Sequence, residues 1–295
     1  MDIVKETQRY YGDILKKSTD LKTNACCTME DIPKSVKAKL SNIHEDILSS
    51  YYGCGLIMPD CLENMNVVDL GCGSGRDVYL LSQFVGGNGK VIGIDMTPNQ
   101  LNIAENKLDY HMDKFGFSKP NVEFKNANIE NLNDLKLQST VDIVVSNCVV
   151  NLCENKEKVF KGVYNLLKSG GEFYFSDVYS SKRIPKSLSN NTVLWGECLG
   201  GALYWNDFLN MVKKCGFGDP RLVKSNLITI KNEDLQEKLG DTKFYSATYR
   251  LFKLPDLEPE CEDYGQAVIY KGSILNNNSS WSLDNHHKMI TGKIF

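Results

Sequence analysis

From Val67 to Asp95 the chain reads Val-Val-Asp-Leu-Gly-Cys-Gly-Ser-Gly-Arg-Asp, then a helical stretch, then Val-Ile-Gly-Ile-Asp. This is a strand–loop–helix–strand unit, and such units bury their faces in a parallel sheet covered by helices. Gly71, Gly73 and Gly75 are spaced Gly-x-Gly-x-Gly, not the Gly-x-Gly-x-x-Gly that cradles a dinucleotide pyrophosphate. Backbone without side chains admits a ligand closely. Asp69, ahead of the first glycine, and Asp95, closing the second apolar run, set carboxylates at two strand ends, where they would repel a phosphate.

These carboxylates suit a ligand with an ammonium group and a ribose diol, because Asp95 can accept two hydroxyl hydrogen bonds. S-adenosylmethionine has both groups. The pattern resembles the first two motifs of the seven-strand, Rossmann-like methyltransferases, which implies that Asp95 binds the ribose. Asp69 and Arg76 join the expected donor site, with Met96 against the adenosine. Asn128 and Ile129 either frame the adenine or form an ordinary turn, and Asn147 contacts donor or acceptor through backbone groups.

At 295 residues and 42% hydrophobic content, the chain can bury one large core, or one core plus a smaller satellite. A net charge of −3 with no basic stripe argues against a general nucleic-acid binder. The first residues lack an apolar signal core, and no stretch approaches the roughly 18 apolar residues of a membrane span, so the expectation is a cytoplasmic enzyme without a membrane partner.

Val36, Leu40, Ile43, Ile47 and Tyr51 recur at helical spacing and predict one helix ending at Gly53, while Tyr10-Tyr11-Gly12 and residues 18–28 read as a loop or lid. Thr97-Pro98-Asn99-Gln100 reads as the capped start of a helix with Leu101, Ala104, Leu108 and Phe115 on its buried face. Strands at 122–124, 141–146 and 172–176 alternate with helices, Gly170-Gly171 being the turn before the last. Past Asp177 the alternation stops, and a helical region with a Gly200-Gly201 interruption follows. Residues 222–230, 244–254 and 266–270 have strand composition. From Asn276 a loosely ordered polar tail is expected, with His286-His287 solvated rather than metal-binding.

The ten cysteines contain no Cys-x-x-Cys pair and fit neither a disulfide framework nor a zinc ribbon. No His or Tyr is placed as a general base. Four cysteines stand among small or polar neighbours: Cys26 in Asn-Ala-Cys-Cys-Thr, Cys54 in Tyr-Tyr-Gly-Cys-Gly, Cys148 in Ser-Asn-Cys-Val-Val-Asn, and Cys198 in Trp-Gly-Glu-Cys-Leu-Gly-Gly. Cys148 follows the fourth strand, at the carboxyl edge where open α/β sheets bind ligands. Cys61, Cys153, Cys215 and Cys261 read as packing or incidental residues.

Those four contexts, with Asp20-Leu-Lys-Thr-Asn-Ala and Ser176-Asp-Val-Tyr, resemble segments of arsenite methyltransferases, the animal members most closely, over about residues 8–272. The resemblance implies that Cys148 and Cys198 bind trivalent arsenic, with Cys54 as a third sulfur, and that Cys26 and Cys54 complete a thiol relay. Cys27 can stand in for Cys26. Trivalent arsenic is soft and prefers thiolates, and three sulfurs leave its lone pair free to attack the donor methyl, so that positioning replaces a general base. The implied cycle yields mono- and dimethylated arsenicals, is reset by an external thiol reductant, thioredoxin or glutathione, and runs in a monomer. Cys72 stands where the family often has serine, a stray thiol beside the donor. Many animal members carry a cysteine-rich tail beyond the matching motifs; Phe295 is reached without one, which bears on regulation or solubility rather than chemistry.

The expected fold is α/β, a Rossmann-like seven-strand methyltransferase sheet with a smaller C-terminal α+β acceptor-binding region. Residues 1–60 form a lid and helix with the relay cysteines, 61–180 the S-adenosylmethionine-binding domain, 181–254 the arsenic-binding region, and 255–295 a strand and tail. Two other readings are a methyltransferase for a small organic acceptor such as a quinone precursor or sterol, and a soft-metal-sequestering protein that does not turn over.

Overall fold

The computed structural model describes residues 3–11, 32–53, 55–189, 191–230, 232–259 and 264–295. Cys26, Cys27, Cys54 and Cys261 lie outside the described residues, so the expected relay pair and third arsenic sulfur do too. The first elements are α1 (Ile3–Arg9), α2 (Lys34–Leu40), α3 (Glu45–Ser49), β1 (Asn66–Leu70), α4 (Arg76–Val85), β2 (Lys90–Asp95), α5 (Pro98–Glu105), α6 (Leu108–Phe115) and β3 (Val122–Asn126). Next come β4 (Val141–Asn147), α7 (Lys156–Leu166), β5 (Leu167–Ser180), α8 (Lys186–Ser189), α9 (Thr192–Gly196), β6 (Leu203–Tyr204) and α10 (Trp205–Lys214). The last are β7 (Arg221–Leu227), α11 (Glu233–Leu239), β8 (Phe244–Phe252), β9 (Ser280–Ser282) and β10 (Lys288–Ile290).

The main sheet has eight strands, ordered β3-β2-β1-β4-β5-β8-β7 with β6 beside β5. β3 through β5 pair in parallel, while β8 runs antiparallel to both β5 and β7. Strand order reverses between β1 and β4, and the crevice beyond their carboxyl ends is where open α/β sheets hold ligands. Successive strand residues point to opposite faces. Accordingly Val68, Leu70 and Val144 pack with Val159, Phe160 and Val163 of α7, whereas Val67, Ile143 and Val145 pack with Val78, Leu81 and Val85 of α4.

Several local expectations change in the folded chain. The single helix expected over residues 36–51 is two, because the His44 ring accepts the backbone N–H of Asp46 and caps a fresh start at α3, although Val36, Ile43 and Ile47 are all buried as the spacing requires. The helix from Thr97 also breaks, into α5 and α6; the Thr97 hydroxyl caps none of its N–H groups, while the Thr97 N–H donates to the Asp95 carboxylate. Gly170-Gly171 lies inside β5, at a register shift, rather than before it. Tyr10 and Tyr11 continue the turn of α1 instead of forming a loop.

The tail departs most. Past Asn276 the chain forms the β9–β10 hairpin, in which Asp284 accepts the backbone N–H groups of His286 and His287 and pairs with Arg221 of β7 at 2.8 Å. The Trp281 indole donates to Asp60 at 2.8 Å and its ring lies 5.5 Å from the Arg250 guanidinium, itself paired with buried Glu172. These long-range charge pairs supply the order that local polarity did not suggest. The strand expected at 266–270 is reduced to an isolated bridge between Ile269 and Ile294.

His111 on α6 is fully buried and stacked on Tyr79 at 3.7 Å; its Nδ1 faces the Lys107 carbonyl and its Nε2 accepts the His44 N–H. Burial lowers its pKa from 6.5 to about 4. Above pH 6.5 the ring is neutral folded or unfolded; below it only the unfolded chain gains the proton, so stability drains away as pH falls toward about 4. The thermal midpoint of the wild type is expected to fall across that window, and the slope to flatten in His111→Gln, read by circular dichroism melts at successive pH values.

Candidate functional site

A cavity opens at the switch point between β1 and β4. Asp69, Gly71, Gly73, Arg76, Asp95, Met96, Asn128, Ile129, Asn147 and Cys148 all line it. Gly75 does not: it is the N-cap of α4, and a Cβ there would sit 3.0–3.1 Å from the Phe124 ring and the Ala104 methyl. The first glycine has a different task. Gly71 has φ +69°, and a Cβ on it would collide with the methyls of Val149, so its bareness lets the glycine loop pass against the segment that follows Cys148.

The cavity is electrostatically negative. Asp69 is buried, and that burial, with Asp77 and Asp95 nearby, holds its carboxyl well above the usual range, while Arg76 opposes the shift. Burial also raises Asp95, against the backbone N–H groups of Thr97 at 2.8 Å and Gly73 at 2.9 Å. The Thr97 side chain and the Met96 N–H also reach the carboxylate, so it is held firmly in the cavity wall. The Arg76 guanidinium is held by Asp77 at 2.6–2.8 Å and lies 3.1 Å from the centre of the Tyr51 ring. Asn147 donates its side-chain amide to Tyr51, Gly55 and Asp77, so it braces the cavity wall as well as lining it. Asp69, Asp77, Asp95 and Glu130 against one guanidinium favour a cationic ligand.

At the far side of the β4 end lies a buried corner. The sulfurs of Cys148 and Cys198 and a carboxylate oxygen of Asp177 are all within 4.8 Å of one another. Cys148 and Cys198 both adopt left-handed φ, +57° and +61°, a conformation that costs about 1–2 kcal/mol in a non-glycine residue and clusters at functional sites. Cys148 is disulfide-bonded. Cys61, Cys72, Cys153, Cys198 and Cys215 are free, so the partner of Cys148 lies outside the described residues.

The glycines after Cys198 explain how two distant segments meet. A Cβ on Gly201 would collide with the Asn151 carbonyl, three residues past Cys148, and a Cβ on Gly200 would sit 2.9 Å from the Trp195 backbone nitrogen. Leu199 and Gly200 turn their N–H groups back to Leu194, ending α9 and delivering the Cys198 sulfur to within 3.3 Å of the Cys148 carbonyl. Asp177 sits at the end region of β5, its oxygens fixed by the N–H groups of Val178 and Asn151; burial, opposed by those donors and by Lys156, lifts its pKa to about 7.

Helix α1 ties the two sites together. Gln8 donates to the Met96 carbonyl, Gln100 donates to the Tyr11 carbonyl, and the Tyr10 and Tyr11 hydroxyls donate to Glu197 and the Gly196 carbonyl. Val4, Thr7 and Tyr11 thereby close one side of the cavity. Local sequence reading missed this strap, and it missed Asp77, Tyr51 and Asp177. The Ser176-Asp-Val-Tyr motif did contain Asp177, and its place at a strand's carboxyl end was the available signal.

Among the remaining cysteines, Cys72 packs its sulfur against Gly93, and burial pushes its thiol well above the ordinary range, so it is inert beside the donor loop. Burial likewise pushes Cys153 up to about 12 and raises Cys215. Cys61 is free and exposed.

A family model described as a methyltransferase domain matches residues 62–216. An arsenite methyltransferase of Aquipseudomonas alcaligenes is 53% identical over 98% of this chain and 83% of its own length. The human arsenite methyltransferase is 48% identical over 99% of this chain and 78% of its own. The crystal structure of an arsenic(III) S-adenosylmethionine methyltransferase from Chlamydomonas reinhardtii superposes with a TM-score of 0.86 at 43% identity, covering 90% of this chain and 89% of that one. With relatives this similar over nearly its whole length, the chain belongs to the arsenite methyltransferases.

Proposed function

We propose that this protein transfers methyl groups from S-adenosylmethionine to trivalent arsenic held by Cys148 and Cys198. The observation that carries this reading is the approach of those two sulfurs, within 4.8 Å, beside the carboxylate-lined cavity that Cys148 itself lines. The cavity's residues fit the donor: the Asp95 carboxylate faces the cavity as an acceptor for a ribose diol, Asp69 and Asp77 suit its ammonium and sulfonium charges, and Gly71 and Gly73 leave room for it. When bound, the donor supplies an electrophilic methyl group on a sulfonium.

The chain's residues do the rest by positioning. Capture on two thiols releases two waters from arsenous acid, and a third sulfur, assigned to Cys54, completes the set. The arsenic lone pair then points at the methyl, and Asn147, Tyr51 and Arg76 hold the intervening wall. After transfer, a relay thiolate from Cys26 or Cys54 attacks an arsenic-bound sulfur; the disulfide forms and the bonding pair returns to arsenic. The disulfide at Cys148 supports such a cycle, reset by thioredoxin or glutathione in a reducing compartment such as the cytoplasm. Among the described residues, no helix is long and apolar enough to cross a membrane.

Incubation of the protein with arsenite, S-adenosylmethionine and a thiol reductant, followed by chromatographic separation of arsenic species, is expected to yield mono- and dimethylated arsenicals in step with S-adenosylhomocysteine. No methylated arsenic from folded protein would overturn the reading in favour of a small organic acceptor.

A further inference from the structure

We propose that the buried corner is also a binding site for a thiophilic divalent cation of the zinc type, ligated in the reduced protein by Cys148, Cys198 and the carboxylate of Asp177. The inference starts from Asp177, which arsenic capture does not use. A soft trivalent centre is satisfied by sulfur alone, whereas zinc accepts two thiolates and one carboxylate readily. The three donor atoms lie within 4.8 Å of one another on three buried residues. Around tetrahedral zinc, with Zn–S of about 2.3 Å, two sulfurs stand about 3.8 Å apart, so each donor has at most about 1 Å to move.

Asp177 is prepared for this role. The N–H groups of Val178 and Asn151, at 2.8 and 3.0 Å, and that of Val150 fix the carboxylate, and three donors on about four acceptor sites leave one lone pair for a cation. The charges also balance. Two thiolates, one carboxylate and a divalent ion sum to −1, and buried Lys156, which acts electrostatically on Asp177 and Cys198, supplies the opposing charge. Its ammonium donates to the Cys153 carbonyl and lies 5.2 Å from the Trp195 ring centre, so it is held in place. Because Cys148 is disulfide-bonded, a phosphine or dithiol reductant must free its sulfur before the metal binds, and binding then releases the two thiol protons to solvent. Ion binding there uses the sulfurs assigned to arsenite, so the competition between the two rests on the proposed function, while the binding itself does not.

The test uses full-length protein reduced with a phosphine, desalted without oxygen, and titrated with cobalt(II) as a spectroscopic probe. One saturable equivalent is expected, with near-ultraviolet thiolate-to-cobalt absorption and tetrahedral ligand-field bands, and stoichiometric zinc should displace it. Cys198→Ser should weaken binding by more than about 100-fold; Asp177→Asn should weaken it by about 10- to 100-fold and shift the ligand-field bands while the sulfur absorption stays. Cys153→Ser, a neighbouring buried thiol outside the trio, should change nothing. Absence of a one-equivalent signal, or equal affinity in Cys198→Ser, overturns the proposal. If Asp177→Asn does not fold, X-ray absorption of the zinc-loaded wild type decides: two sulfurs with oxygen support it, and a sulfur-only shell overturns it. Metal-free arsenite turnover, measured on the same preparation, reports separately on the methyltransferase reading.

Discussion

Cys198→Ser is expected to lower arsenite methylation by at least about 100-fold while leaving donor affinity unchanged. Once one thiolate has captured arsenic, the second binds it intramolecularly, and losing such a linked contact typically removes about 10²–10⁴ of apparent affinity. Serine is nearly isosteric, but its hydroxyl is a hard donor that does not replace a thiolate on a soft centre. Cys198 is buried and does not line the donor cavity, so calorimetric titration with S-adenosylmethionine should match the wild type. The fold should tolerate the change, since the weak polar contact from the Cys198 sulfur to the Cys148 carbonyl at 3.3 Å is one that a hydroxyl can also make. Unchanged turnover in this variant would remove Cys198 from the arsenic site.

Asp95→Ala should have the converse effect. Its carboxylate both lines the cavity and accepts the N–H groups of Gly73 and Thr97, so truncation removes the ribose acceptor and releases the turn that shapes the loop. Hydrogen bonds to charged groups contribute about 1.5–3 kcal/mol each, so loss of two to the ribose predicts donor affinity weakened by roughly 100-fold or more. Arsenite capture by Cys148 and Cys198 needs no donor and should persist, measured as arsenic retained by the reduced protein after gel filtration. Weakened arsenite capture with intact donor binding would reverse the assignment. The two variants together separate donor from acceptor in one protein.

Legibility in the sequence followed the range of the interactions involved. The donor loop was readable because its constraints are local: glycines where the backbone turns, acidic residues at strand ends, and apolar residues alternating between two sheet faces. The break between α2 and α3 was not, because the His44 cap competes with a helical period that its neighbours continue to obey. Cys72 was read as a stray thiol beside the donor; it does line the cavity, and its contact with Gly93 from the adjacent strand, not visible locally, also packs it into the sheet. The tail read as solvated because its partners, Asp60 and Arg221, are distant in sequence.

The sequence by itself determined the sheet class and the donor loop, since both depend on residue types at short spacing, and its resemblance to arsenite methyltransferases implied the soft chemistry of the acceptor. Tertiary structure decided what converges on the reacting centre. Gly201 packed against Asn151 brings Cys198 to Cys148; Asp177 joins them from β5; α1 closes the cavity through Gln8, Tyr10 and Tyr11. Those contacts join residues tens to nearly two hundred positions apart, and only the packing of the whole sheet and its helices sets such distances.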